Sequence, residues 1–217
     1  MIDEHSPLLL GSSSPRRRDI LLTLGIPLHV LPARVDEALR TAEGAEDYLA
    51  RVTRAKLEAI AALPVSKDAG AILVADTSVI LDGAVLGKPA SESEARAMLH
   101  ALAGRAHEVW TRFAVAGPET PSRVLHEETV RTEVWFRPLG AEEIACYAAT
   151  REGFDKAGGY AIQGIGGFAV SRIVGSYSNV VGLPACEVIL ALQKTGLLGR
   201  FPRVSPAEPE GRLRGDP

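Results

Sequence analysis

Residues 8–25 have the sequence LLLGSSSPRRRDILLTLG, in which a short apolar run leads through small polar residues into an amphipathic segment. The three leucines are typical of a buried strand. Pro15 suits the first turn of a helix with Ser14 as its N-cap, and Gly25 marks the end of that helix. Because a strand that leads directly into a helix is a basic unit of α/β folds, this stretch predicts that class.

Strands and helices continue to alternate as far as about residue 198. Alternating or apolar runs predict strands, and apolar residues at helical spacing predict helices. We predict further strands at 27–32, 71–75, 79–81, 85–86, 108–116, 127–136 and 168–174, and further helices at 46–63, 91–104, 141–149 and 185–197. Asp82-Gly83 is a strong hairpin signal between two of these strands. Because helix-linked strands and hairpins both occur, we expect an α/β fold with a mixed central sheet flanked by helices.

Length and composition indicate one domain. The chain has 217 residues, of which 46% are hydrophobic and 24% charged, values that suit a globular protein with one sizeable core. No break in composition divides it, so we predict a single domain over residues 1–198. Residues 199–217 are rich in Pro, Gly and Arg, and we predict a disordered tail there. Cys146 and Cys186 both have apolar neighbours in the sequence, which predicts buried free thiols.

Charge and hydropathy argue against several classes of function. The formal net charge is −3, so no overall positive field attracts nucleic acid or an anionic membrane. Aromatic residues make up 5% of the chain and there is no basic stripe, which argues against a nucleic-acid-binding module. No apolar run approaches the roughly 20 residues of a membrane-spanning helix, and the first residues lack the basic start of a secretory signal. We therefore expect a cytoplasmic protein with no nucleic-acid or membrane partner.

The start of the first predicted helix has the chemistry of an anion site. A strand that enters a helix leaves unpaired backbone N–H groups and a partial positive charge at the helix N-terminus. Ser12 can add a hydroxyl donor, and Arg16 and Arg17 can each bind phosphate oxygens through two N–H groups. A solvent-exposed basic helix face would have the same residues, so the sequence alone leaves both interpretations open.

Other candidate residues come from three later parts of the chain. Asp76 and Thr77 follow a predicted buried strand, where a carboxylate is held rigidly, although Asp after a strand also commonly caps a turn. Lys88 stands beside a tight turn and either acts as a point charge on phosphate or is an ordinary surface lysine. Gln163 lies in a glycine-rich segment and can both donate to and accept from a base edge.

Six motifs follow one another along the chain: SxSPRR at 12–17, ADT at 75–77, GKP at 87–89, HxVxT at 107–111, DKAGxYxIQG at 155–164 and GSYxNVVGLP at 175–184. In this order they resemble the Maf nucleotide pyrophosphatases, and the similarity covers about residues 8–198. The resemblance implies a cytoplasmic, usually dimeric enzyme that cleaves nucleoside triphosphates to the monophosphate and pyrophosphate with a divalent cation. It also implies the α/β fold of the inosine triphosphate pyrophosphatases.

The resemblance also implies roles for individual residues. It implies that Asp76 is the general base, and we expect Mg²⁺ or Mn²⁺ to be held partly by Glu37 and Asp76 because hard cations favour carboxylates. The positions associated with substrate choice carry Arg16, Thr77 and Gln163, as in the branch that hydrolyses dTTP and UTP, with modified pyrimidine nucleotides as further candidates. The positions around the phosphates and metal carry Ser12, Arg17, Glu37, Lys56 and Lys88. Trp110 departs from the family pattern, which often has a smaller or tyrosine side chain there.

The alternative to this enzyme is a nucleotide-binding regulator of cell division, or septum formation, without essential catalysis. Such a regulator would not need Asp76.

Overall fold

The computed structural model describes residues 1–202. Within that range seven strands form one sheet: β1 (Leu8–Leu10), β2 (Leu28–Val30), β3 (Ala71–Leu81), β4 (Ala84–Leu86), β5 (Ala106–Ala116), β6 (Val124–Phe136) and β7 (Val170–Val174). The α-helices of the same range are α1 (Pro15–Thr23), α2 (Ala45–Ala61), α3 (Glu92–Leu102), α4 (Ala141–Ala149), α5 (Tyr177–Val181) and α6 (Ala185–Lys194). Short 3-10 turns cover Pro64–Lys67, Ala157–Gly159 and Ile165–Ala169. The predicted fold class is confirmed.

The sheet is mixed, as predicted. Its strands lie in the order β2-β1-β3-β5-β6-β7, and β4 pairs with the last part of β3. β1 is parallel to both β2 and β3, and α1 and α2 supply the connections that parallel strands require. The pairs β3–β5, β5–β6 and β6–β7 are antiparallel. The parallel half of the sheet therefore contains the strand–helix junction that the sequence predicted as an anion site.

β3 is longer than predicted, and this changes the position of Asp76. The predicted strands 71–75 and 79–81 are one continuous strand, so Asp76 lies near its middle and not at its end. The physical reason is that pairing with β5 continues through Asp76 and Thr77 and satisfies the backbone groups there. On the edge of β3 that faces away from β5, β1 pairs with residues 71–73 only. Beyond residue 73, β1 no longer lies beside β3. Asp76 therefore lies beside the gap left where β1 ends.

Helices cover both faces of the sheet because successive strand residues point to opposite faces. On one face α1 and α6 pack against β1, β3 and β5 through a core that includes Leu10, Leu21, Leu73, Phe113, Val188 and Leu192. On the other face Leu57 and Ile60 of α2 pack against Ile72 and Val74 of β3. A third cluster joins α3 and α4 to the far half of the sheet. β3 is thus enclosed on both faces and forms a rigid support for the side chains that leave it.

Two local predictions are wrong. The segment 175–184, where no helix was predicted, contains the five-residue helix α5, whose N-cap Ser176 accepts a hydrogen bond at Oγ from the Asn179 N–H at 3.2 Å. Cys146 and Cys186 are exposed and not buried, because they occupy outward positions of α4 and α6 while their apolar neighbours face the core. The predicted disordered tail, 199–217, lies largely outside the described residues and stays a prediction.

Candidate active site

A cleft of about 650 Å³ opens where β1 ends beside β3. Its lining includes residues from the start of α1, the segment between β2 and α2, the β3–β4 hairpin and the glycine-rich segment before β7. It is lined by all nine residues that the sequence predicted: Ser12, Arg16, Arg17, Glu37, Lys56, Asp76, Thr77, Lys88 and Gln163. A cleft of this volume suits a small-molecule ligand.

Arg17 points into the protein at the start of α1. It is 8% exposed, and its guanidinium donates to Ser12 Oγ (3.0 Å), Ala75 O (2.9 Å), Thr77 Oγ1 (2.9 Å) and Gly182 O (2.7 Å). These bonds use all but one of the N–H groups of a guanidinium. Burial lowers the pKa of Arg17, and the charge of Asp76 opposes that shift. Arg17 therefore ties α1 to β3 on both sides of Asp76 and has little donor capacity left for a phosphate.

Lys56 joins the two carboxylates of the cleft. Its side chain lies on the cleft side of α2 and is 7% exposed, and its ammonium group lies 2.6 Å from Asp76 Oδ1 and 2.7 Å from Glu37 Oε1. A buried cation requires such opposite charges around it. Burial acts to raise the pKa of Glu37, but the hydrogen bond and charge of Lys56 outweigh it and lower that pKa below its usual value. The Glu37 carboxylate is therefore ionised at neutral pH.

Glu37 and Asp76 are also the predicted metal ligands. Among residues 1–202, no group of three or more His, Cys, Asp or Glu side chains is placed to hold a metal ion. Two carboxylates nonetheless fit Mg²⁺, which commonly binds through one or two carboxylates together with waters and substrate phosphates. The donor set therefore suits a cation that is shared with a bound nucleotide better than one held by the protein alone.

The outer part of the cleft carries accessible polar side chains. Lys88 and Gln163 are exposed, and Arg16 is partly exposed, with its guanidinium 3.6 Å from Asp155 Oδ2. An ion pair this exposed is weak, so Arg16 can exchange Asp155 for an anionic ligand. The two neighbouring arginines of α1 thus differ in direction: Arg17 is bound to protein atoms inside, whereas Arg16 faces the cleft.

Glu152 holds the glycine-rich segment in place. Its carboxylate accepts hydrogen bonds from the Ile165 N–H (2.9 Å), the Gly166 N–H (2.8 Å) and Tyr147 Oη (2.9 Å). Burial acts to raise the pKa of Glu152, but these hydrogen bonds outweigh it and lower the pKa. The ionised carboxylate thereby fixes the backbone that follows Gln163 and keeps this amide at the edge of the cleft.

Three residues that support the site were not found from the sequence. Tyr48 lines the cleft from α2 and donates from its hydroxyl to Glu37 O at 3.1 Å. Thr111 lies 2.9 Å from Thr77, hydroxyl to hydroxyl, and the Thr111 hydroxyl donates to the main-chain carbonyl oxygen of Asn179. Thr111 and Asn179 belong to two of the six motifs, and that membership is the signal that would have found them. Tyr48 has no such signal.

The chain is similar to known proteins over most of its length. A family model described as "Maf-like protein" matches residues 7–195. The dTTP/UTP pyrophosphatase of Geotalea uraniireducens is 44% identical over 91% of this chain and 100% of its own, and that of Myxococcus xanthus is 47% identical over 89% of this chain and 95% of its own. Among solved structures, the Ham1 protein of Staphylococcus aureus matches 58% of this chain and 69% of its own, with 13% identity and a TM-score of 0.37. Among the described residues, none of the helices combines the length and hydropathy of a membrane span.

Proposed function

The chain belongs to the Maf family, and from that premise we propose that it hydrolyses dTTP and UTP to the nucleoside monophosphate and pyrophosphate. The observation that carries the proposal is the composition of the cleft. A buried carboxylate, Asp76, is paired with Lys56 beneath an outer part that presents Arg16, Lys88 and Gln163. The relatives named for this activity support the same substrates. They lend no support to a regulator without catalysis.

Arg16 and Lys88 bind the triphosphate together with the free backbone N–H groups at the start of α1. Negative charge on the phosphate oxygens is the main obstacle in phosphoryl transfer, and fixed cations and helix N-termini offset it. Arg17 contributes to this site mainly by holding the backbone around Ser12 and Asp76 in place.

Asp76 orients the attacking water and accepts its proton as the water attacks the α-phosphorus, and pyrophosphate leaves. Lys56 bonds Asp76 Oδ1, so Oδ2 is the oxygen that receives the proton. An aspartate is ordinarily a weak base at neutral pH. A divalent cation held by Glu37 and Asp76 would lower the pKa of a bound water and make this transfer easier.

Gln163 recognises the pyrimidine base, and Arg16 affects substrate choice from its place beside the phosphates. The exposed amide of Gln163 carries a donor and an acceptor that match the alternating groups at the edge of a uracil or thymine ring. The hydroxyl of Thr77 is already bonded to Arg17 and Thr111, so Thr77 acts through the shape of the cleft. A base that covers the Gln163 amide without pairing with it leaves a buried donor or acceptor unpaired, which costs about 1–3 kcal/mol per group.

Pyrophosphate release from the common nucleoside triphosphates, with and without Mg²⁺ or Mn²⁺, tests the proposal. We expect dTTP and UTP to be preferred and chelation of the metal to stop turnover. Asp76→Asn should lower turnover by about 10²–10⁴-fold while a fluorescent dTTP analogue still binds. Asp68→Asn, which changes an exposed carboxylate outside the cleft, is the control. Preference for a purine nucleotide, or near-normal turnover by Asp76→Asn, would contradict the assignment.

We also propose that the protein is a cytoplasmic homodimer, as the family resemblance implies. Strand β7 is an edge of the sheet, and Val174 on it and Phe168 just before it are exposed. A second copy would bury such apolar surface. Light scattering coupled to gel filtration measures the mass in solution, and a mass near that of one chain would contradict the dimer.

A further inference from the structure

The position of Glu37 in the cleft depends on a segment without helix or strand. Residues 31–40 connect β2 toward α2 and have no regular secondary structure. Their apolar side chains contribute little to the core, since Leu31, Ala33 and Val35 are only partly buried and Leu39 is exposed. Hydrophobic burial alone therefore gives this segment little reason to hold one conformation.

Two side chains of α2 bind three successive carbonyl groups of that segment. Tyr48 donates from its hydroxyl to Glu37 O at 3.1 Å. Arg51 donates from Nη2 to Ala38 O at 2.9 Å and from Nη1 to Asp36 O at 3.4 Å. Tyr48 and Arg51 are three residues apart and therefore project from the same face of the helix. The peptide groups on both sides of Glu37 are thus attached to α2, the helix that also carries Lys56.

Glu43, which lies between that segment and α2, completes the arrangement. Its carboxylate accepts two hydrogen bonds from Arg51, at 2.6 Å from Nε and 2.7 Å from Nη2, and one from the Arg40 N–H at 3.1 Å. A bidentate pair of this kind fixes the plane of the guanidinium. The hydrogen bond from Arg51 lowers the pKa of Glu43 to about 2, so the pair stays ionised at any working pH.

The support for Tyr48 and Arg51 is rigid. Tyr48, Leu49 and Val52 are buried together where α2 begins, and Leu57 and Ile60 anchor the rest of the helix to the sheet. Burial, followed by the charges of Asp76 and Glu37, raises the pKa of Tyr48 above its usual value. Its hydroxyl therefore remains a hydrogen-bond donor throughout the neutral range.

We propose that Tyr48, Arg51 and Glu43, the Glu37 clamp, are positioning residues that hold the Glu37 carboxylate beside Lys56 and Asp76 for the metal-bound triphosphate. This inference rests on the proposed function. The clamp acts on Glu37 through the backbone of residues 36–38. Loss of the clamp should therefore weaken binding of the divalent cation, for which Glu37 is needed. The core and the site of the nucleotide base should stay unchanged.

Three variants test the clamp against a matched control. Tyr48→Phe removes one hydroxyl and keeps the ring. Arg51→Gln removes the guanidinium group, and Arg51→Lys keeps the positive charge without the planar guanidinium. Arg54→Gln is the control, because Arg54 lies on the next turn of α2, is exposed and pairs with Glu127 at 3.7 Å. The metal concentration for half-maximal pyrophosphate release from dTTP should rise about 2- to 10-fold for Tyr48→Phe and about tenfold or more for Arg51→Gln. Arg51→Lys should fall between wild type and Arg51→Gln, and Arg54→Gln should match wild type.

A second readout separates positioning from general damage. Electron paramagnetic resonance of Mn²⁺, titrated with a non-hydrolysable dTTP analogue, should show the same order of weakened binding. Thermal unfolding of Tyr48→Phe should stay close to wild type. In a Glu37→Gln background, Tyr48→Phe should change the metal requirement no further, because the carboxylate that the clamp positions is gone.

The outcomes distinguish the two proposals. If wild type hydrolyses dTTP but the clamp variants keep its metal requirement, the clamp is wrong and the proposed function stands. A shift of equal size with and without the Glu37 carboxylate would also overturn the clamp. If wild type releases no pyrophosphate from dTTP or UTP with either metal, the proposed function is wrong, and the inference that rests on it is refuted too.

Discussion

Replacement of Arg17 by lysine should destabilise the protein, because this arginine is bound to protein atoms. Its guanidinium makes four hydrogen bonds, to Ser12, Ala75, Thr77 and Gly182, at 2.7–3.0 Å. Lysine keeps the charge but lacks the planar fork that reaches acceptors in several directions. An ammonium group at this position can replace one or two of the bonds and leaves at least two acceptors without their main donor.

The expected magnitude follows from those stranded acceptors. Each buried polar group that loses its partner costs about 1–3 kcal/mol, so Arg17→Lys should lower the free energy of unfolding by roughly 2–4 kcal/mol, allowing for partial relaxation. Arg16→Lys is the matched control, since Arg16 is partly exposed and its contact with Asp155 is 3.6 Å long. That change should alter the free energy of unfolding by less than about 0.5 kcal/mol.

Urea denaturation followed by far-ultraviolet circular dichroism measures both variants, provided that fluorescence gives the same transition. Steady-state kinetics with dTTP on the same samples should show the reverse ranking of the two variants. Arg16→Lys should raise KM although its free energy of unfolding is unchanged. If Arg17→Lys unfolds at the wild-type urea concentration and instead raises KM, the guanidinium binds phosphate in solution and the reasoning from its hydrogen bonds is refuted.

Three further predictions concern other parts of the molecule. Gly153→Ala places a Cβ 1.9 Å from Gly159 O, so the glycine-rich segment must move. We expect the free energy of unfolding, measured by urea denaturation, to fall by about 1–3 kcal/mol and KM for UTP to rise. Burial lowers the pKa of His107 to about 4. The unfolded chain therefore binds a proton at this residue below about pH 6.5, whereas the folded protein does so only near pH 4. As a result the free energy of unfolding of the wild type should fall by about 2 kcal/mol between pH 7 and pH 5 through this group. His107→Gln should remove that part of the slope in urea denaturation at the two pH values, and an unchanged slope would contradict it. Glu152→Gln weakens the hold on the segment around Gln163 and should raise KM for dTTP several-fold with kcat less affected, whereas unchanged kinetics would show that Glu152 does not position this amide.

Elements set by neighbouring residues were predicted well from the sequence. The helix predicted from residue 91 begins at Glu92, and its N-cap Ser91 accepts a hydrogen bond from the Glu94 N–H at 3.2 Å. Asp82 and Gly83 both have positive φ in the β3–β4 turn, as their hairpin signal required. In each case the interactions that decide the conformation lie within a few residues of chain. The failures at Cys146 and Cys186 have the opposite cause, because exposure depends on which face of a helix the fold turns inward.

Periodicity and turn residues along the chain were enough to predict the α/β class and the mixed sheet. Of the nine predicted residues that line the cleft, seven lie in the six motifs, whereas Glu37 and Lys56 lie outside them and were predicted only from the family resemblance. How those residues are used depends on contacts that the folded chain creates. Asp76 lies within β3 because β5 pairs along its length, and Arg17 points inward, away from the direction of Arg16, because its acceptors include Gly182, 165 residues away in sequence. The direction of a side chain and its hydrogen-bond partners depend on such distant contacts, which exist only after the chain has folded.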